Sequence, residues 1–407
     1  MPQSPPHHAK VLIYSHDTYG LGHLRRCRTI AHSLVRQYKG ISVLILSGSA
    51  LIGRFEFKAR VDFVRIPGVI KLYNGDYTSM GLHIDLEETL SIRESIIFNT
   101  ANSFQPDVLI VDKEPLGLKG EVKRTLQHLH QQGVHTVLGL RDVLDTPELL
   151  KKEWQHKGIT REVLQQYDDI WIYGPQLMGN PLKGLPFADV IEQRGLYTGF
   201  LHRHLPQAKT EPLNDLPEQY LLVTPGGGGD GVEMVDWVIS AYEQAEAELP
   251  WPAVIIAGPF MNSKDRQAFE NRVKKLSRVT LLTFISQLEH VMANAQAVVA
   301  MGGYNTFCEI LSFNQRALFI PRKEPRLEQF IRVKKATELG WATMLDPDQL
   351  TGSDAPLKMV NALKALPNQA RPYTMQADTY LSGVATIGQR FNKIMVKRGI
   401  NLEPNLA

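Results

Sequence analysis

Residues 297–321 read AVVAMGGYNTFCEILSFNQRALFIP, and this stretch decides the architecture. A short apolar run at 297–300 meets Gly302 and Gly303, then a segment whose Phe307, Ile310 and Leu311 recur at helical spacing. A second apolar run, 317–320, follows. Strand, tight turn, helix and strand make the repeating unit of a parallel sheet, because parallel neighbours need a crossover that a helix supplies.

Working outward, the same rhythm covers almost the whole chain. Short Val, Ile and Leu-rich runs at 220–224, 253–257, 279–284 and 342–345 flank the first stretch. Before them lie similar runs at 10–15, 42–46, 61–66, 108–111, 136–140 and 170–173. Between the two sets, residues 201–217 are polar and hold three prolines, the composition of a linker. The expectation is α/β: a polar, disordered tail at 1–9, a first Rossmann-like domain at 10–200, the linker, and a second Rossmann-like domain at 218–373. The last segment, 374–407, is expected to be helical and to pack back on the first domain. Ligands of such sheets sit at the carboxyl ends of the strands, so a cleft between the halves is the expected site.

Composition narrows the partners. The chain has 407 residues, enough for two cores, and 43% of them are hydrophobic. Its 45 basic and 42 acidic residues leave a net charge of +3, which does not argue for nucleic acid. Two cysteines, Cys27 and Cys308, are too few for a disulfide framework or a zinc cluster. No leader-like or membrane-spanning apolar stretch is evident, so a cytoplasmic protein is expected.

Three glycine-bearing turns carry the chemistry. The first holds Gly20, Gly22, His23, Arg25 and Arg26 between the first strand and a helix. His23 is placed to take a proton from a hydroxyl, or else to cap the helix; the arginines serve an anionic group or are solvated helix charges. The second turn contains Gly226, Gly227, Gly228 and Gly229. It formally fits GxGxxG, but the next strand ends in Gly258-Pro259 with no acid, so a dinucleotide site is a weak reading. A nest of amides for a phosphate, or a plain flexible turn, remains. In the third, Gly302, Gly303, Tyr304, Asn305 and Thr306 open a helix N-terminus toward a diphosphate, with Glu309 within reach of a ribose. Glu328 and Gln329 suit sugar hydroxyls, and Phe284 suits stacking on a base. In the first half, Asp112 and Glu114 end a strand and are candidate acceptor contacts, alternative bases or parts of a solvated loop. Residues 141–145 end another strand in the same way. Asp346-Pro347-Asp348 has the form of a metal-binding DxD pair, but Asp at such a position is a good turn or cap residue and is read as structural. No metal and no cofactor are expected.

At these residues the sequence resembles the MurG-like, family-28 type of glycosyltransferases. The run MGGYNTFCEILSFNQRALFIP and the later Glu328-Gln329 carry the likeness, with the spacing of that family's Gly-x-x-T-x-x-E helix and later Gln. The loop Gly20–Cys27, GLGHLRRC, is also similar to that of the nucleotide-sugar hydrolases of pseudaminic acid synthesis. The resemblance implies a GT-B fold and an inverting, metal-independent transfer of a hexose or N-acetylhexosamine from a UDP-sugar to an acceptor hydroxyl. Glu309 would bind ribose, residues 302–306 the diphosphate, Phe284 the base, and Glu328 and Gln329 the donor sugar, while His23 would face the acceptor. Two departures stand out. The family's paired Gln is Glu328-Gln329 here, and residues 112–117 lack its glycine-rich acceptor loop. A glycan, a lipid-linked molecule or a small molecule remains open as acceptor, and a lipid-linked one would bring peripheral contact with the inner face of a membrane. The rivals are a nucleotide-sugar hydrolase or 2-epimerase on the same fold, and a non-catalytic nucleotide-sugar-binding protein.

Overall fold

The computed structural model describes residues 8–16, 21–71, 77–205, 216–227, 229–285 and 288–405. The chain forms two units: residues 1–201 together with 382–407, and residues 202–381.

In the first unit the described strands are β1 (Ala9–Ser15), β2 (Ile41–Ser47), β3 (Val61–Arg65), β4 (Val69–Lys71), β5 (Tyr77–Ser79), β6 (Val108–Asp112), β7 (His135–Arg141), β8 (Asp169–Tyr173) and β9 (Gly195–Tyr197). Seven pair in parallel in the order β3-β2-β1-β6-β7-β8-β9, while β4 and β5 form a small antiparallel hairpin. Helices cover both faces of such a sheet, so its central strands are apolar throughout rather than alternating. Val11, Leu12 and Ile13 of β1 are each 0% exposed. The order turns around between β1 and β6, and the crevice at such a switch point is where α/β sheets bind ligands.

The second unit repeats the plan with β10 (Leu221–Thr224), β11 (Ala253–Ile256), β12 (Val279–Leu282), β13 (Ala297–Ala300), β14 (Arg316–Phe319) and β15 (Thr343–Met344). All are parallel, in the order β12-β11-β10-β13-β14-β15, with the switch point between β10 and β13. The glycine turns at 225–231 and 301–303 follow these two strands, so one switch point carries both.

Several boundaries differ from expectation. The tail does not reach residue 9: Ala9 already pairs with Ile41 and is buried, while residues 1–7 lie outside the described residues. The linker is shorter than 201–217. Leu201 is buried and bridges Ser382 in the first unit. Arg203 is bound in the second, its backbone N–H donating to Ser312 Oγ at 2.9 Å. Residues 206–215 of the linker lie outside the described residues. The second unit does not stop at 373 but runs on through short 3-10 turns at Pro372–Met375 and Ala377–Tyr380. Trp341 Nε1 donates to Met375 O at 3.2 Å and holds these turns in place. The returning helix is therefore Gly383–Lys397, which packs on the helix Gly22–Gln37 of the first unit. Gln37 Nε2 donates to Val384 O at 3.0 Å, and Tyr38 Oη to Gly388 O at 3.2 Å. A side chain at Gly388 would collide with Gln37, which explains the glycine.

Candidate functional site

In the first unit, β1 delivers the chain to the helix Gly22–Gln37, and β6 delivers Asp112. His23 is not the helix cap: the N-cap residue is Leu21, whose side chain makes no cap hydrogen bond. His23 Nδ1 instead meets Asp112 Oδ2 at 2.5 Å. Arg26, one turn on, lays its guanidinium along the same carboxylate, Nε to Oδ1 at 2.8 Å and Nη2 to Oδ2 at 2.6 Å. Arg26 is 2% exposed and its guanidinium also lies over the Tyr173 ring, so it is neither a solvated charge nor an acceptor contact. Arg25 is half-buried. Gly22 begins the helix, and Gly20 lies outside the described residues.

Asp112 is fully buried. Burial would push its carboxyl up, but Arg26 and His23 hold it well below the usual carboxylate range. Burial, with help from Arg26, lowers the His23 pKa from 6.5 against the opposing pull of Asp112. The result is a neutral imidazole oriented by a permanent anion, the arrangement of a general base with its orienting carboxylate. Asp112 itself, with both oxygens engaged, is placed to position His23 rather than to take a proton. Lys113, the next residue, adopts the left-handed conformation (φ 68°), which costs about 1–2 kcal/mol and turns the chain sharply after Asp112.

Glu114 is buried too, not in a solvated loop. It pairs with Lys157 Nζ at 2.6 Å and Lys113 Nζ at 3.1 Å. Burial raises its pKa, yet Lys113, His16 and Lys157 bring it well below the ordinary value, so it is a weak base. His16, at the end of β1, was not singled out by sequence. Its ring meets that of His23 edge-on at 5.6 Å, and burial holds its pKa well below 6.5. Position after a central strand was the one signal available for it.

In the second unit the glycines chosen from sequence follow β10 and β13, and Phe284 follows the edge strand β12. Gly226 has φ 82°. Gly227 O accepts from Phe260 N at 2.9 Å, and a side chain at Gly231 would collide with Pro225. These contacts fix the turn at Gly227 and Gly231. Gly228 lies outside the described residues, and Gly229 is exposed. Gly302 has φ 84°, and a Cβ there would collide with Val333. Gly303 is the N-cap of the helix Tyr304–Ser312, and as a glycine it has no side chain to cap it. Such an end carries amides without intrahelical acceptors and the positive end of the helix dipole. Tyr304, Asn305 and Thr306 are 3%, 8% and 9% exposed, and Asn305 Oδ1 accepts from Arg203 Nη2 at 2.7 Å. Glu309 is 2% exposed, so it is not a surface charge. Phe284 lies beyond the end of β12 and is 61% exposed, available for stacking.

Glu328 and Gln329 open the helix Glu328–Glu338, and both are buried. Arg322, in the loop after β14, joins them: its Nη2 meets Glu328 Oε1 at 3.2 Å. With its amide turned to satisfy both ends, Gln329 donates to Met301 O at 2.8 Å and accepts from Arg322 Nε at 2.9 Å. Arg332, fully buried, donates to Gly302 O at 3.1 Å. The sequence reading passed over both arginines; basic residues near strand and helix ends were their only signal. The DxD pair has a cation already: Lys323 Nζ lies 2.6 Å from Asp346 and 2.5 Å from Asp348. Asp346 also caps the following turn, accepting from Asp348 N at 3.1 Å. Among the described residues, no three His, Cys, Asp or Glu side chains gather in a way that could hold a metal ion.

Comparison with known proteins places this geometry. Residues 227–391 match the glycosyltransferase family 28 C-terminal domain. Over 93 residues the chain is 29% identical to the UDP-N-acetylglucosamine–N-acetylmuramyl-(pentapeptide) pyrophosphoryl-undecaprenol N-acetylglucosamine transferase of Haemophilus influenzae strain PittGG, covering 23% of this chain and 25% of that one. The chain thus matches about a quarter of the length of its curated relatives. Among solved structures, Acinetobacter baumannii MurG superposes with a TM-score of 0.58 at 12% identity, covering 96% of this chain and 99% of that one. Phytolacca americana UGT2, complexed with UDP-2-fluoroglucose and pterostilbene, superposes at 0.64 and 14%, covering 96% and 100%. The calicheamicin glycosyltransferase CalG4 gives 0.59 and 16%, covering 96% and 99%. Identities this low speak for the fold alone: the chain has the GT-B glycosyltransferase fold, and its residues 227–391 are similar to the family 28 C-terminal domain.

Proposed function

We propose that the protein is a glycosyltransferase that moves a hexose or N-acetylhexosamine from a UDP-sugar to an acceptor hydroxyl, with inversion and without a metal ion. The observation that carries this reading is His23, neutral and held by Asp112 at 2.5 Å. The acceptor hydroxyl gives its proton to His23 as its oxygen attacks the anomeric carbon, and Asp112 and Arg26 keep the imidazole in place. The helix end at 303–306 and the turn at 226–229 take the diphosphate, where fixed amides stabilise developing charge without reorganising. Glu309 takes the ribose, Phe284 the base, and Glu328 and Gln329 the sugar. The printed name of the Haemophilus relative specifies a lipid-linked acceptor. No described helix here is long and apolar enough to cross a membrane, so on this reading a lipid-linked acceptor would be met by peripheral contact from the cytoplasm.

The test is donor turnover in EDTA, with and without an acceptor panel. Transfer in EDTA is expected, and His23→Ala should lower kcat by about a hundredfold or more with donor affinity little changed. Because the His23 pKa is depressed, the base stays competent as pH falls, and kcat/KM should decline only below pH 6.5. An absolute need for a divalent ion, or near-normal turnover by His23→Ala, would overturn the mechanism. Consumption of donor without any acceptor would move the reading to a nucleotide-sugar hydrolase.

A further inference from the structure

We infer that Arg322 is the cation that receives the departing diphosphate. The inference rests on reading the second unit as a nucleoside diphosphate site. In the transfer, the bond from the anomeric carbon to the phosphate oxygen breaks and its electron pair stays on that oxygen. The diphosphate therefore gains one negative charge, while the acceptor proton goes to His23. Amides and a helix dipole supply only partial charges against this whole one. The two turns assigned to the phosphates, residues 225–231 and 301–306, contain no Lys or Arg.

Arg322 connects those two turns. Its Nη1 lies 3.4 Å from Asp230 Oδ2, in the first. Its Nε donates to Gln329 at 2.9 Å, and Gln329 in turn donates to Met301 O at 2.8 Å, at the start of the second. A methyl group at Gly303 would lie 4.0 Å from the same Gln329 amide. The neighbouring cations have other engagements: Arg332 is fully buried on Gly302 O, Lys323 bridges Asp346 and Asp348, and Arg203 donates to the Asn305 side chain at 2.7 Å.

The charges around Arg322 are unequal, and that inequality suits an exchange. Glu328, at 3.2 Å, has only 4% of its side chain exposed and anchors the guanidinium. Asp230 is farther away and 63% exposed, a loose surface partner of little energetic weight. A diphosphate offers stronger, forked hydrogen bonds to a guanidinium and displaces Asp230 from it. Arg322 thereby contacts donor and leaving group, and the Glu328 that replaces a Gln of the resembled family serves to hold it.

Calorimetry in EDTA with uridine, thymidine, guanosine and adenosine diphosphates, and the matching monophosphates, tests this. Wild type is expected to prefer one diphosphate over its monophosphate. In Arg322→Gln that preference should fall by about ten- to a hundredfold, with monophosphate affinity unchanged. Arg322→Lys should lie between the two, and Asp230→Asn should tighten diphosphate binding severalfold. An unchanged preference in Arg322→Gln, or equal loss of both nucleotides, overturns the role of Arg322, as does an Asp230→Asn variant that binds diphosphate more weakly. If wild type binds none of the four diphosphates, the proposed function itself fails; if it binds and transfers while Arg322→Gln keeps its preference, only the inference fails.

Discussion

The two units place their candidate sites at the same topological point and build them from different materials. In the first, three charged or ionisable side chains, His23, Arg26 and Asp112, lock together within 2.5–2.9 Å. In the second, Gly226 and Gly302 in left-handed conformations shape two turns, whose backbone amides take the diphosphate in the proposed function. A site made of side-chain charge is sensitive to chemistry at constant shape. A site made of turns is sensitive to shape at constant chemistry.

Asp112→Asn breaks the first half of that comparison with almost no change of volume. It leaves Arg26 buried without its anion, at a cost of about 3–5 kcal/mol in stability. With His23 no longer oriented by a carboxylate, kcat should fall by about two to four orders of magnitude. A thermal melt and a turnover assay check both; wild-type values in either would mean that charge does not build the site.

Gly302→Ala tests the second half by adding one methyl group. The left-handed φ and the collision with Val333 together should cost about 1–3 kcal/mol and weaken nucleotide binding about tenfold. Gly226→Ala sharpens the point, because nothing lies within 4 Å of its added Cβ and only the φ of 82° opposes it. Its effect on melting should be the smaller of the two. Equal effects would show that close packing under Gly302 is irrelevant.

The smallest effect belongs to the pair that looks like a metal site. Asp348 is 75% exposed and its bond to Lys323 is a surface one. Asp348→Asn should change stability by no more than about 1 kcal/mol. Nucleotide affinity should be the same in EDTA and in magnesium for both proteins. A magnesium-dependent difference would assign Asp348 to the site after all.

Much of this plan was legible in the sequence, for a physical reason. Central parallel strands are buried on both faces, so β1, β6, β10 and β13 announce themselves as apolar runs, and the glycine turns after them mark strand ends. Edge and partial elements carry no such signal. The hairpin of β4 and β5, and the three-residue β9, were missed. At the site, residue types at strand ends picked out His23 and Asp112 but could not show that they meet, since 89 residues separate them. Sequence left Arg26 open between an anionic group and a solvated helix charge, because it does not say which anion a buried guanidinium will find. The aspartates at 346 and 348 were read as turn residues from local chemistry, and Asp346 does cap its turn; the ammonium between them comes from Lys323, 23 or more residues away in the chain.

The path of the chain has a consequence for synthesis. The helix Gly22–Gln37 is made well before its partner, and its bond to Val384 waits for a residue 347 positions later. At about 5–20 residues per second, that delay is roughly 20–70 s. The second unit, continuous from residue 202 to 381, has all its strands in hand before the first can close. The domain begun first is thus completed last, and in the interval the surface awaiting Val384, Ile387 and Phe391 is open to chaperones, or to the same helix of another nascent copy.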